Sequence, residues 1–374
     1  MENISIKYLK GGDTIDKFNS KHFAFIVLGV SVVSMKTYPS LITFNGGRDS
    51  WLILIIASVI IFFYAWFMFS SFKKTNCFDL YKIYCGAVGK FFGNLLIILF
   101  AISLFLTLLE CASVEANSMH TNMLLEVPTW YILLFFIFPA LYTIKKGKAA
   151  VIITTILTMV MIIFSGITIS ILTAKYKKFY FLMPILKDGF TEGHIKALLQ
   201  ILGLYGCFVI SFPFFEDIKN KKKIVKISLL SLLFVIQMQI VNMIGLISTF
   251  DIYYLNTMVY PNILQTQLVE VSRFMESGEF FVIIQIVSAW YIKYVLTFYA
   301  LMKILKRLKI YDKYSIYTTT FLVLIGGLSL CQDLFNLFTF LGIYTYITLA
   351  NFVIIPFFMM LIYRIRTSQK NRSS

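Results

Sequence analysis

Residues 31–52 read SVVSMKTYPSLITFNGGRDSWL. The stretch continues an apolar run that begins at Phe23, as a membrane helix would, and then places Lys36, Pro39, Gly46, Gly47 and Arg48 close together. Proline lacks an N–H and kinks or ends a helix, and its neighbours Ser34, Lys36, Thr37 and Tyr38 are polar at membrane depth. Exposed backbone is tolerated at that depth only where it lines a cavity or is enclosed by protein. The stretch therefore predicts a membrane helix broken near its middle, with Ser34, Met35, Lys36, Thr37 and Tyr38 at the break.

The rest of the chain supplies the membrane context. Its 374 residues are 59% hydrophobic and 14% charged, with a mean hydropathy of +0.81, whereas soluble domains carry about 25% charged residues. Apolar runs long enough to cross a bilayer fall at 22–44, 51–72, 91–116, 128–144, 149–173, 195–217, 224–249, 279–302, 315–335 and 341–363. The expected organisation is an N-terminal segment 1–21, a transmembrane domain of ten helices over 22–363 and a tail 364–374, with no separate soluble domain. The net charge of +16 is spread through short loops, which argues against nucleic acid as a partner. With the N-terminus inside, the cytoplasmic loops hold most of the lysines and arginines, so both termini are expected on the cytoplasmic side. The outer loop AKYKKFYFLMPILKDGFTEGHIK, residues 174–196, departs from that rule with Lys175, Lys177, Lys178 and Lys187. Either it faces an acidic partner or the rule fails there.

Several function classes find no support. Cys77, Cys85, Cys111, Cys207 and Cys331 are scattered without paired spacing, and His22, His120 and His194 share no helix face, so neither disulfides nor a metal site is expected. No GxSxG, P-loop, HExxH or GxGxxG motif is present; catalysis and a cofactor are not expected. A cleaved signal peptide is not expected either, because about twenty polar residues precede the first apolar run.

A second interruption is expected in the sixth run, HIKALLQILGLYGCFVISFPFFEDIKN (194–220), which carries Gly203 and Gly206 mid-span and Pro213 near its end. Transporters built from two inverted five-helix repeats break their first and sixth helices, and the unwound backbone forms a ligand site at the midplane. The pattern predicts an all-α membrane protein with that 5+5 (LeuT-like) fold, its ligand meeting the first break and Leu202, Gly203, Leu204, Tyr205 and Gly206. Two charges lie deep in other spans. Glu110 belongs to a polar stripe with Ser103, Thr107, Ser113 and Asn117, and Lys293 shares a face with Gln285, Ala289 and Thr297. Buried charges of this kind usually face a cavity or a partner. One reading has Glu110 and either Lys36 or Lys293 lining the ligand cavity, a lysine ammonium standing where sodium-coupled relatives hold a cation. The other makes them a structural pair that locks the bundle. Glu216 and Asp217 read as a solvated inner helix end. NGGRDSW (45–51) reads as a tight glycine turn in which Arg48 snorkels and Trp51 anchors the next helix at the interface.

The residues YPSLITFNGGRDSWLILII resemble the first-to-second-helix signature of the spore germination protein B-subunit family: Pro39, Gly47, Arg48, Asp49 and Trp51 match, with Ser50 in place of the usual alanine. FPFFEDIKNKKK after the sixth span is similar as well, and so is EVSRFMESGEFFVIIQIVSAWYIKYVLTFYA, through Arg273, Glu276 and Trp290, with Glu279 where the family usually has aspartate. The resemblance runs from about residue 20 to 365. It implies a member of the amino acid, polyamine and organocation transporter superfamily, acting as the membrane B subunit of a germinant receptor in the spore inner membrane. That subunit would work beside an A subunit and a lipoprotein C subunit, and bind a small germinant such as an amino acid, sugar or nucleoside. A proton-coupled amino-acid transporter of the same fold is the competing expectation, with Glu110 or Lys293 titrating. A channel is a weaker third, since no filter-like loop is visible.

Overall fold

The structure, a computed structural model, describes residues 19–187, 189–269 and 279–373. Lys7, Lys10 and Lys17 of the N-terminal segment, and Arg273 and Glu276 of the third motif, lie outside the described residues, as does the side chain of Glu279.

The described chain is helical, and a single bridge between Asn19 and Asn220 is its only sheet-like pairing. Helix α1 (Ser20–Ser31) starts at Asn19, whose side chain accepts from the backbone N–H groups of Lys21 and His22 at 2.9 and 3.2 Å. After the interruption at 32–38, α2 (Pro39–Gly46) opens with proline at its first position, where a missing N–H costs nothing. A short 3₁₀ turn at Gly47–Asp49 leads into α3 (Ser50–Thr75), and Gly47 has φ +55, a conformation suited to glycine. There follow α4 (Leu80–Val88), α5 (Lys90–Asn122), α6 (Thr129–Lys145), α7 (Lys148–Leu172) and α8 (Glu192–Tyr205). Beyond the 3₁₀ segment Gly206–Asp217 come α9 (Ile224–Thr249), α10 (Ile252–Leu255), α11 (Pro261–Gln267), α12 (Glu279–Arg307), α13 (Ser315–Cys331), α14 (Leu334–Thr348), a π-helical stretch Leu349–Ile354 and α15 (Ile355–Ser373).

Among the described residues, seven helical stretches are long and apolar enough to cross a membrane: Pro39–Thr75, Lys90–Asn122, Lys148–Leu172, Glu192–Asp217, Ile224–Thr249, Phe280–Arg307 and Leu334–Gln369. Ser20–Ser31, Thr129–Lys145 and Ser315–Cys331 are shorter apolar helices. The chain is an integral membrane protein. Helix α5 is central to it: α4, α6, α12 and α13 all pack on it, and its polar stripe Ser103, Thr107, Glu110, Ser113 and Asn117 is buried. Helix α12 packs along both α5 and α7 and carries Trp290 into the core.

The two expected interruptions take different forms. The first is a break in the α-helical path between α1 and α2. The second is not unwound: α8 passes directly into the 3₁₀ helix Gly206–Asp217, which contains Pro213. In a 3₁₀ helix residues three apart eclipse one another, and Phe212 and Phe215 accordingly stack at 5.4 Å. Both meet Phe69 and Phe72 of α3, and Phe215 stacks on Phe23 of α1 at 4.6 Å.

The glycines of this span serve close packing. A Cβ at Gly203 would fall 2.0 Å from the Thr345 carbonyl oxygen of α14, and one at Gly206 2.8 Å from Val353 and 3.1 Å from Phe352 of the π-helical stretch. Gly342 of α14, by contrast, has nothing within 4 Å of an added Cβ. Gly203→Ala is therefore expected to lower the stability of the purified protein by about 1–3 kcal/mol through overpacking, whereas Gly342→Ala leaves it unchanged or slightly higher. Thermal unfolding of the two variants in the same detergent checks the contrast.

Candidate functional site

The break at 32–38 loses the regular helical bonds and replaces them with three-residue turns. The N–H groups of Ser34, Lys36 and Tyr38 donate to the carbonyls of Ser31, Val33 and Met35 at 3.2, 3.0 and 3.3 Å. Two carbonyls of the segment are claimed from elsewhere: Gln239 Nε2 of α9 donates to Val32 O at 2.9 Å, and Asn262 Nδ2 of α11 donates to Lys36 O at 2.7 Å. Ser34 Oγ donates to Val30 O at 3.2 Å. Side-chain amides thus do at this depth what water does outside the membrane.

Two side chains of the break, Tyr38 and Lys36, diverge. Met35 and Thr37 are buried. Tyr38 turns toward α5 and donates its hydroxyl proton to Glu110 Oε1 at 2.8 Å, and Lys293 Nζ of α12 donates to Glu110 Oε2 at 2.7 Å. All three side chains are fully enclosed, with Glu110 and Lys293 0% exposed and Lys293 Nζ 5.2 Å from the Trp290 ring. Tyr344 of α14 joins the same layer through Thr107, 2.9 Å between hydroxyls. Sequence pattern placed Glu110 with either Lys36 or Lys293; the structure pairs it with Lys293.

Lys36 points the other way. Its Nζ donates to Asn242 Oδ1 of α9 at 3.2 Å and Gln285 Oε1 of α12 at 3.1 Å, which leaves one of the three ammonium protons unspent by these bonds. It lines a cavity of about 380 Å³ between α7, α9, α11 and α12, together with Lys177, Asn242, Gln265 and Gln285 and apolar groups such as Ile163 and Phe234. Burial pulls the Lys177 ammonium below the ordinary lysine value. No Asp or Glu is among the described lining residues. Two ammonium groups, amides and an apolar wall line it, a set whose chemistry complements an anionic group on an apolar body.

The structure does not bring the α8 residues into this cavity. Leu202, Gly203, Leu204, Tyr205 and Gly206 are buried, and none lines it. The two glycines abut α14 and the π-helical stretch, and the Tyr205 hydroxyl lies 2.8 Å from Ser58 Oγ of α3. The amides of α9 and α11, Gln239, Asn242, Asn262 and Gln265, were missed in the sequence; isolated amides in apolar helices were the available signal.

The NGGRDSW corner is pinned more firmly than snorkelling implies. Arg48 Nη1 donates to Met183 O at 2.7 Å, and Asp49 accepts from Leu186 N at 3.0 Å while lying 3.7 Å from His194 Nε2 of α8. A Cβ at Gly46 would crowd Ser50 Oγ at 2.7 Å, and Trp51 packs, partly buried, against the core. The motif ties the α2–α3 turn to the loop between α7 and α8 and to the start of α8. At the end of the 3₁₀ segment, Glu216 and Asp217 are ion-paired and not merely solvated. Asp217 meets Lys148 at 3.3 Å and Lys303 at 2.7 Å; Arg307 pairs with Glu216 at 3.0 Å and with Asp79. Among the described residues no group of three His, Cys, Asp or Glu side chains could hold a metal ion.

A family profile described as spore germination protein matches residues 20–332, and the chain belongs to that family. No curated protein matches it significantly. Among solved structures, two single-substitution mutants of the Eremococcus coleocola manganese transporter resemble the chain, each with a TM-score of 0.59 at 13% identity over 92% of this chain and 79% of the transporter. The same transporter in complex with an aromatic bis-isothiourea substituted compound matches with the same values. The likeness shows a shared LeuT-type transporter fold.

Breaking one side of the enclosed Glu110–Lys293 pair leaves a buried charge without its partner, at a cost of about 3–5 kcal/mol. Glu110→Gln and Lys293→Met are each expected to destabilise the protein to that extent, and the double variant by less than the sum of the two. A double-mutant cycle on unfolding free energies measures the coupling; a strictly additive result would contradict the pairing.

Proposed function

We propose that the chain is the membrane B subunit of a spore germinant receptor, which binds a small nutrient and triggers germination. Membership of the spore germination protein family supports the setting, and the Lys36 cavity at the break in the first helix is the observation that carries ligand binding. In this reading the seven long helices and three shorter apolar ones make ten spans in two inverted repeats of five, with both termini on the cytoplasmic side of the spore inner membrane. The receptor's A and C subunits are the partners, and the outer loop at 175–187 is the first surface through which to seek them.

The ligand class follows from the charge. Lys36 and Lys177 favour a carboxylate, so an amino acid or organic acid fits better than a neutral sugar or nucleoside. The bonds from Lys36 to Asn242 and Gln285 hold the ammonium in place before the ligand arrives. Ser34 to Tyr38 then communicate occupancy: Lys36 meets the ligand, and Tyr38, two residues on, is bonded to the Glu110–Lys293 pair at the centre of the bundle. That pair acts as a lock between helices. Leu202 to Gly206 pack the sixth span against α14 and move with it.

The transporter fold shared with the manganese transporter supports a second reading, in which the chain carries a proton-coupled amino acid. Spores lacking the gene distinguish the two when loss of refractility is followed against amino acids, organic acids, sugars and nucleosides. The receptor reading expects loss of response to a carboxylate-bearing class. The wild-type gene would restore it, while Lys36→Met protein of equal abundance would need at least about tenfold more nutrient, the worth of one charge-assisted hydrogen bond. Normal germination to every nutrient, with altered amino-acid uptake in growing cells, would establish the transporter.

A further inference from the structure

Helix α5 carries a second carboxylate at membrane depth. Glu115 follows Glu110 by five residues, which at about 100° per residue turns it about 140° around the helix, away from Lys293. Its side chain is 2% exposed, and its Oε2 has no hydrogen-bond partner. An ionised carboxylate held in apolar surroundings without a partner is costly, and such residues in a membrane protein usually answer to something that binds them.

Glu115 lines a cavity of about 480 Å³ between α5, α6, α7 and α12, within the range of about 300–1,000 Å³ that small-molecule sites occupy. Its walls are apolar and aromatic, with Ile132, Phe135, Phe136, Val287 and Tyr291 among them. Phe135 of α6, which lines it, is 64% exposed at the protein surface. Two of the lining hydroxyls are already engaged: Thr158 Oγ1 donates to Thr154 O at 2.5 Å, and the Tyr291 hydroxyl lies 2.8 Å from Thr143 Oγ1; Ser288 of α12 adds a third hydroxyl to the lining. No Lys, Arg or His is among the described lining residues. A metal ion would ask for four or more ligands, and no such group exists among the described residues.

We propose that this cavity is a second binding site, for an organic ammonium with an apolar or aromatic body. The ammonium would sit against the free oxygen of Glu115, and the rings of Phe135, Phe136 and Tyr291 would offer their faces to the cation and to the body behind it. The site is separate from the Lys36 cavity, has the opposite charge preference and does not depend on the function proposed above.

The test uses the full chain in phosphatidylcholine nanodiscs at neutral pH, with 2-phenylethylammonium as the probe, 2-phenylethanol as its neutral counterpart and empty nanodiscs as the partition control, read by titration calorimetry. The expected result is saturable binding of the amine at least about tenfold tighter than of the alcohol, lost in Glu115→Gln by a similar factor and retained in Lys36→Met. Val287→Trp, which keeps the carboxylate but fills the space, should abolish amine binding while the melting temperature stays near wild type. Equal affinity for amine and alcohol, undiminished amine binding in Glu115→Gln or Val287→Trp, or no binding beyond the empty nanodisc would each overturn the proposal.

Discussion

A carbonyl that leaves a helix inside hydrocarbon must find a donor elsewhere in the protein, because no water is there to supply one. The first helix of this protein breaks at 32–38, and the arrangement around it answers that demand. Gln239 reaches in from α9 and Asn262 from α11, each donating to a carbonyl of the broken segment. These two helices cannot be placed elsewhere without leaving the break unsatisfied. The remaining turns close on themselves through bonds between residues three apart.

The break also sorts its side chains by charge. Tyr38 goes inward to Glu110, whose charge Lys293 balances in a fully enclosed pair. An ion pair so placed gives up hydration on both sides, and its worth lies in geometry more than in net stability: it fixes α5, α12 and the break relative to one another. Lys36 goes outward to two amide oxygens and a cavity without acidic neighbours among the described residues. The same few residues therefore supply a rigid anchor on one side and, on the other, a cation with no acidic group among the described lining residues of its cavity.

One end of the bundle is held by charges and the other by a corner. Asp217 and Glu216, at the end of the 3₁₀ helix, meet cations from α7 and α12, while Arg48 and Asp49 clasp the loop between α7 and α8. Between these two fastenings, the passage from α-helix to 3₁₀ helix at Tyr205–Gly206 narrows and stretches the Glu192–Asp217 span, from about 1.5 to about 2.0 Å of rise per residue, and changes its rotation. Its phenylalanines thereby meet those of α3, and its glycines admit α14 at backbone distance.

Composition alone made this a membrane protein, since a chain of such hydropathy leaves nothing else for its apolar runs to do. Pro39 with its polar neighbours fixed the first break, because proline's missing N–H acts locally and wherever the residue lies. The Arg-Asp-Trp corner carried the family resemblance for the same reason: a turn motif is read from consecutive residues. What the sequence could not decide was pairing. Glu110 had two candidate lysines, and only the packing of α12 on α5 selects Lys293 and sends Lys36 to the other face. Gly203 and Gly206 read as an unwinding signal, yet their purpose is the close approach of α14, a contact more than a hundred residues away in the chain. Whether a small residue marks flexibility or close packing depends on its neighbour, and that neighbour exists only once the helices have assembled.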